Sequence, residues 1–225
     1  MAYLLKIDSM RYSDYLAFKE NLHNARYQNL IDDTWLLTSH YPGVFTLGRS
    51  FHRANFIAEE NEIKVSGREI IEIDRGGDIT YHGPSQIMIY PFITVPNRDV
   101  EILVRNLEEI VIELLSMYNL EGERNSGYPG VWCNKAKIAS IGLSVRKWVT
   151  YHGVAFNYLK DDGGFDMIVP CGIKGIRMTS LQDEISKIID KDTILSDIAK
   201  CIEAIFNCKL NEITESELKE SCIKS

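Results

Sequence analysis

Arg75-Gly76-Gly77-Asp78-Ile79-Thr80-Tyr81-His82-Gly83-Pro84 lies between two hydrophobic stretches, residues 69–74 and 86–91, that are typical of β-strands. The adjacent glycines have no Cβ, so the backbone there can approach a ligand closely. The second half of the motif recurs, because Thr150-Tyr151-His152-Gly153 repeats Thr80-Tyr81-His82-Gly83. Two copies, each beside a hydrophobic strand, predict that each copy forms a wall of the same pocket.

The hydrophobic pattern around this motif mixes strand and helix periods without a strict alternation of the two. It predicts strands over residues 3–7, 35–38, 44–47, 69–74, 86–91, 131–133, 138–145 and 148–158. Helices are predicted from an N-cap pair at Ser13-Asp14, over 100–118 and over 193–207. The expected fold is α/β, a mixed β-sheet flanked by helices. We expect one domain over residues 1–225, with an acidic helical tail from about 183.

Composition excludes several function classes. The net charge of −7 argues against nucleic-acid binding, and no apolar run approaches the roughly 20 residues of a membrane span. The N-terminus lacks the features of a signal peptide, so we expect a cytoplasmic protein. The five cysteines form no CxxC pair and have no histidine at zinc spacing, which predicts neither a metal site nor a disulfide framework.

The charges are unevenly distributed along the chain. Residues 124–160 contain no Asp or Glu but six Lys or Arg side chains. This run is interpreted in two ways, as a solvated face of chance composition or as a local basic surface that receives an acidic partner.

Cys171 is the best candidate nucleophile in the sequence, although a small buried residue at a turn would fit the same pattern. Pro170 and Gly172 fix the backbone beside it and leave the sulfur uncrowded. A thiol needs a base or a cation, because the thiolate is the reactive form. His82, His152 and Lys137 could each supply one, and Lys137 opens an acid-free strand where no nearby carboxylate neutralises it.

The motifs together resemble the lipoyl(octanoyl) transferases. The resemblance covers roughly residues 40–181, and it rests on segments that stand in the family's order: Thr46-Leu47-Gly48-Arg49, residues 75–84, Pro129-Gly130-Val131-Trp132, Lys137-Ile138-Ala139-Ser140-Ile141-Gly142, residues 150–153, Pro170-Cys171-Gly172-Ile173 and Met178-Thr179-Ser180-Leu181. Two positions depart from the family's pattern: Asp78 stands where Gln is common, and Ser85 where Gly is usual.

The resemblance implies an octanoyl transfer from acyl carrier protein to a lysine of a lipoyl domain, in 2-oxoacid dehydrogenases or the glycine cleavage H protein. Cys171 would carry the acyl group as a thioester, and Lys137 would stabilise the thiolate and move protons. No cofactor is implied. The family's substrate-binding segments would fall on Arg75, Gly76, Gly77, Asp78, Ile79, Thr80, Tyr81, His82, Ser140, Ile141, Gly142, Gly153, Val154 and Ala155. The implied fold is that of the biotin and lipoate ligases.

Three alternatives remain open at this point. An ATP-dependent lipoate or biotin ligase would share the fold, but it activates a free acid as an adenylate and has no use for a nucleophilic cysteine. A non-catalytic module that holds acylated carrier domains would gain nothing from Cys171 and Lys137 together. A Cys-His hydrolase would release free octanoate to water.

Overall fold

The computed structural model describes residues 1–223, without the side chains of residue 60 and residues 221–223. Its strands are β1 (Ala2–Lys6), β2 (Thr34–Thr38), β3 (Val44–Leu47), β4 (Glu69–Glu72), β5 (Ile79–His82), β6 (Gln86–Phe92), β7 (Glu123–Asn125), β8 (Tyr128–Cys133), β9 (Ala136–Arg146), β10 (Val149–Asn157) and β11 (Leu210–Ile213). Its α-helices are α1 (Tyr12–Tyr27), α2 (Glu60–Val65), α3 (Val100–Met117), α4 (Leu181–Ile185), α5 (Lys191–Phe206) and α6 (Glu215–Ile223).

A large mixed sheet forms the centre of the fold. Its eight strands follow the order β11-β1-β2-β6-β10-β9-β8-β7, and β1 pairs in parallel with both β11 and β2. The remaining neighbours are antiparallel. The predicted mixed sheet flanked by helices is therefore confirmed.

The two faces of this sheet bury different partners, because successive side chains of a strand point to opposite faces. Helices α3 and α5 cover one face, where Leu107, Ile198 and Val154 belong to the same buried cluster. Helix α1 covers part of the other face, where Tyr15 packs with Tyr90. The two helical layers leave room beside α1 for the candidate site.

A second, three-stranded sheet supplies the remaining wall of that site. Its order is β4-β3-β5, with β3 and β5 antiparallel. The strands over 35–38 and 44–47 were predicted on either side of the turn at Tyr41-Pro42-Gly43, and they are present. They do not pair with each other, however, because β2 joins the large sheet and β3 joins the small one.

The sequence misjudged two local features. Helix α1 begins at Tyr12, so Ser13 and Asp14 lie in its first turn and Arg11 holds the N-cap position. The chain after residue 183 is not only helical, since β11 extends the large sheet beside β1. None of the helices within residues 1–223 combines the length and apolar character needed to cross a membrane.

Candidate active site

Cys171 lies in a single 3₁₀ turn, Pro170–Gly172, with φ of 58° in the left-handed region. A non-glycine residue in this conformation costs about 1–3 kcal/mol and persists only where its surroundings hold it. The backbone N–H of Gly172 donates to the carbonyl of Val169, and that of Ile173 donates to Pro170. The turn therefore holds the partly exposed sulfur in one place.

The side chain that meets this sulfur is Lys137. Its Nζ lies 3.6 Å from the Sγ of Cys171 and 4.9 Å from the centre of the Trp132 ring. Lys137 is 2% exposed, and its backbone is fixed by the carbonyl of Arg177 on one side and the N–H of Thr179 on the other. No ion pair joins Lys137 to a carboxylate in the part of the chain that the structure describes. The ammonium is therefore free to stabilise a thiolate.

Gly130 makes the space for this lysine. Its φ is 141°, and a Cβ at this position would lie 2.4 Å from the carbonyl oxygen of Ala139 and 2.7 Å from the Cε of Lys137. The Gly130 N–H donates to the carboxylate of Glu108, which is fully buried and also paired with Arg105 and Arg124. This buried charge network therefore fixes the position of β8, the strand against which Lys137 lies.

Beside Cys171 is a cavity of about 50 Å³ that opens between the two sheets and α1. This volume holds a few water molecules and is smaller than the roughly 300–1,000 Å³ of an ordinary ligand pocket. A bound acyl chain must therefore widen it. The lining residues are Tyr12, Arg75, Thr80, His82, Met88, Tyr90, Ser140, Ile141, Gly142, His152, Gly153, Ala155 and Cys171.

The repeated motif does line one pocket twice, as predicted. Thr80 and His82 of β5 form the wall from the small sheet, and His152 and Gly153 of β10 form part of the wall from the large sheet. Three polar atoms of these walls are buried without a hydrogen-bond partner: Thr80 Oγ1, His82 Nδ1 and His152 Nε2. The cavity therefore offers polar groups to whatever occupies it.

The two histidines do not supply a cation for Cys171. Burial lowers the pKa of His152 to about 3, and it lowers the pKa of His82 well below its ordinary value. Both rings are therefore neutral near pH 7 and cannot act as the cation beside a thiolate. His152 Nδ1 is instead paired with the hydroxyl of Tyr15 at 3.3 Å. Lys137, in contrast, is in contact with the sulfur.

Eight of the fourteen predicted substrate-binding residues line the cavity: Arg75, Thr80, His82, Ser140, Ile141, Gly142, Gly153 and Ala155. The side chains of Ile79 and Tyr81 belong to a separate buried cluster with Phe45, and Val154 belongs to the cluster under α3. Strand alternation explains this for β5, where Ile79 and Tyr81 alternate with the cavity-lining Thr80 and His82. These three residues are not part of the cavity lining.

Gly76, Gly77 and Asp78 shape the cavity from outside it. The guanidinium of Arg75 donates to the carbonyl of Gly76 and to that of Thr46. Gly48 approaches the carbonyl of Gly77 so closely that a Cβ there would lie 2.3 Å from its oxygen. Gly48 and Gly77 thus let the loop fold over Arg75, which is 7% exposed.

The two departures from the family pattern have clear surroundings. Asp78 accepts hydrogen bonds from the side chain of Asn55 at 2.6 Å and from the backbone of Ile79 at 2.7 Å. Its Oδ2 lies 2.8 Å from where a Cβ on Gly172 would be, so Asp78 supports the turn that carries Cys171. The φ of Ser85 is not positive, so this position does not need the left-handed backbone that favours glycine.

Tyr12, Met88 and Tyr90 line the cavity without having been predicted. Met88 and Tyr90 alternate on β6 with residues of the opposite face, so the strand pattern places them together but does not reveal which face carries the site. Tyr12 comes from α1, whose position over the sheet is a tertiary feature. Nothing in the sequence distinguishes it from a core tyrosine.

The cations of the run without acids over 124–160 have different surroundings. Arg124 pairs with Glu109, and Arg146 pairs with Glu20 at 2.7 Å. Lys137 is buried, and Lys147 lies over the ring of Tyr27. Acids from outside the run thus pair with Arg124 and Arg146, whereas Lys135 and Lys160 are exposed, so the basic-surface interpretation of this run stays a prediction.

The described side chains contain no group of three or more His, Cys, Asp or Glu residues arranged to hold a metal ion. Four cysteines are free thiols, and the side chain of Cys222 lies outside the described residues. Cys133 is 1% exposed, and burial raises its thiol pKa to about 11. Cys171 thus differs from Cys133 in exposure and in having a cation at its sulfur.

Comparison with known proteins gives a family and a fold. Residues 11–203 match the family described as the lipoyl protein ligase A/B catalytic domain. The chain is 36% identical to the octanoyltransferase of Caldicellulosiruptor saccharolyticus, over 95% of this chain and 92% of that protein. It is also 36% identical to the octanoyltransferase of Desulforamulus reducens, over 97% and 96%.

Solved structures of ligases share the fold. A putative lipoate protein ligase from T. acidophilum superposes with a TM-score of 0.76 and 15% identity, over 99% of this chain and 92% of that one. The biotin protein ligase of Aquifex aeolicus gives a TM-score of 0.51 and 13% identity, over 91% and 68%.

Proposed function

The chain belongs to the lipoyl protein ligase A/B catalytic-domain family and is close to its octanoyltransferases, and from this premise we propose that it is an octanoyltransferase of lipoate biosynthesis that works through a thioester on Cys171. The observation that carries the proposal is the contact of 3.6 Å between Lys137 Nζ and Cys171 Sγ. A ligase that forms an acyl adenylate has no need of this pair.

In the first half-reaction the thiolate of Cys171 attacks the carbonyl carbon of the octanoyl thioester. A new S–C bond forms, and the C–S bond to the carrier breaks as the tetrahedral adduct collapses. The electron pair leaves with the carrier's sulfur, and the ammonium of Lys137 donates the proton that this thiolate takes up. The unpaired hydroxyl of Thr80 is available as a donor to the acyl oxygen.

In the second half-reaction the amine of the acceptor lysine attacks the octanoyl-Cys171 carbonyl. The amide C–N bond forms, and the C–S bond to Cys171 breaks. The attacking amine loses one proton, which the neutral Lys137 takes up, and Cys171 returns as the thiolate. The dyad is then as it was before the first acyl transfer.

Lipoyl-domain proteins are the class of acceptor that the relatives imply. The finer assignments belong to the same proposal: octanoyl-acyl carrier protein is the donor, and the lipoyl domains of 2-oxoacid dehydrogenases and the glycine cleavage H protein are acceptors. The proposal also includes a cytoplasmic location and a single catalytic domain over residues 1–225.

The decisive experiment compares two donors with one lipoyl-domain acceptor. Octanoyl-acyl carrier protein without nucleotide should yield an acceptor heavier by one octanoyl group. Free octanoate with ATP should yield none. Transfer that requires ATP and free octanoate would overturn the proposal in favour of the ligase, and release of octanoate to water without acceptor modification would favour a hydrolase.

A further inference from the structure

A row of aligned residues crosses the floor of the cavity from Cys171 into the large sheet. Ser140 of β9 pairs with Ala155 of β10, Ala155 pairs with Met88 of β6, and Met88 pairs with Thr38 of β2. The first three of these residues line the cavity. The Oγ of Ser140 lies 3.9 Å from the Sγ of Cys171, so the row begins at the candidate nucleophile.

The side chains along this row change abruptly in size. Ser140 and Ala155 are small and leave an open path over two strands, and Gly142 pairs with Gly153 in the parallel row beside them. Met88 is the first long side chain on the path, and it is 2% exposed. The path is therefore open near Cys171 and closed at β6.

The length of the path matches an eight-carbon acyl group. Neighbouring strands lie about 4.8 Å apart, so β9 and β6 are separated by roughly 9.6 Å across β10. Because the C–C bonds of about 1.5 Å zigzag, an extended chain advances about 1.3 Å per bond, and the seven bonds of an octanoyl group span roughly 9 Å. A chain held by Cys171 over Ser140 would therefore end at Met88.

We propose that Met88 closes the far end of the acyl path and sets the longest acyl chain that the enzyme accepts, an inference that rests on the proposed transferase function. Tyr90, its neighbour on the cavity face of β6, is held rigidly because its ring stacks on Tyr15 at 4.2 Å and its hydroxyl is 2.8 Å from His40 Nε2.

Removing the Met88 side chain should lengthen the path in a defined way. The next residue of the row is Thr38, which is also small. The path would gain one strand spacing of about 4.8 Å, which corresponds to roughly four more carbon atoms. The structure thus points to a twelve-carbon acyl group as the substrate that the truncated enzyme would gain.

The test is a competition between octanoyl- and dodecanoyl-carrier protein for one lipoyl-domain acceptor, read by the intact mass of the acceptor. Met88→Ala should raise the ratio of dodecanoyl to octanoyl product by about tenfold or more, since pocket contacts of this size discriminate by such factors. Ile87→Ala is the matched control, because Ile87 is equally buried on the same strand but faces α3. Its product ratio should equal that of the wild type.

A second variant changes the path in the opposite direction. Ala155→Leu places a branched side chain midway along the row and should favour butanoyl over octanoyl product. This variant tests the path even where Met88→Ala does not fold, which thermal unfolding would reveal.

The outcomes separate this inference from the proposed function. A wild type that transfers no acyl group from carrier protein would overturn both. An active Met88→Ala with an unchanged ratio, an equal shift in Ile87→Ala, or an Ala155→Leu variant that still prefers octanoyl would overturn the role of the path while leaving the transferase function intact.

Discussion

The Nζ of Lys137 lies 3.6 Å from the Sγ of Cys171, although 34 residues separate them in the chain. The lysine sits near the start of β9, and the cysteine sits in a turn after β10 with a positive φ. The backbone of Lys137 binds that of Arg177 and Thr179, a few residues beyond the cysteine. The same segment therefore fixes both members of the pair relative to each other.

Acylation should occur on Cys171. Incubation with octanoyl-carrier protein should add one octanoyl group, which hydroxylamine should remove, and Cys171→Ala should abolish both the adduct and turnover. Cys133→Ala is the control, because Cys133 is buried and burial raises its pKa to about 11. Intact mass spectrometry measures the adduct, and an adduct that persists in Cys171→Ala would contradict the assignment.

Lys137→Ala should slow both alkylation of Cys171 near pH 7 and turnover, the latter by about 10²-fold or more, because it removes the ammonium at the sulfur and the group that moves protons. Lys137→Arg should restore alkylation but not turnover, since guanidinium does not deprotonate in proteins. Lys135→Ala is the matched control, being on the preceding turn. Wild-type alkylation and turnover in Lys137→Ala would remove this lysine from the mechanism.

The strands and the long helix could be predicted from the sequence because their signals are local. The helix expected over 100–118 is observed as Val100–Met117, and the strand expected over 138–145 lies within β9. Burial of one face spaces the apolar residues regularly along a helix or strand, so the sequence of that segment alone is enough to identify it. The glycine motif and its repeat were likewise recognisable as two walls of one pocket.

Long-range pairing could not be predicted from local patterns. The separation of β2 and β3 into two sheets depends on partners far along the chain. Arg146 pairs with Glu20 at a separation of 126 residues, so a count of charges within one segment does not reveal which of them are paired. Which residues of a strand face the cavity, such as Met88 rather than Ile87, also depends on what covers each face.

Gly130→Ala should displace Lys137. A Cβ would lie 2.7 Å from the lysine Cε, and the left-handed backbone adds a strain of about 1–3 kcal/mol. Turnover and alkylation of Cys171 should both fall toward the values of Lys137→Ala. Gly127→Ala carries a similar strain at φ of 88° but has no atom within 4 Å. It should lose stability and keep activity, and equal activity loss in both variants would contradict the role of Gly130.

Stability should fall as the pH drops from about 7 to 5. Burial lowers the pKa of His40 to about 4 and that of His152 to about 3, whereas both titrate near 6.5 in the unfolded chain. The unfolded state then binds protons that the folded state does not, so each histidine removes up to about 1.4 kcal/mol per pH unit below 6.5. Urea unfolding at pH 7, 6 and 5 measures this loss. His152→Asn removes one of the titrating groups, so the slope of the unfolding free energy against pH should fall by up to about 1.4 kcal/mol per pH unit. A constant free energy of unfolding across this range would contradict the prediction.

Carrier docking should depend on Lys174 and Arg177, the exposed cations that follow Cys171. Acyl carrier proteins are acidic, and this protein is itself net negative at −7, so only a local positive region at the site entrance can attract them. Reversing both residues to Glu should slow association by about tenfold at low salt and weaken its salt dependence. Turnover at saturating carrier should change little, because neither side chain contacts the sulfur.

The matched control reverses Arg146 and Lys147, which lie against Glu20 and Tyr27 and should leave the association rate unchanged. Stopped-flow measurement of carrier binding distinguishes the two pairs, and equal slowing by both would show that net charge rather than this entrance governs the encounter.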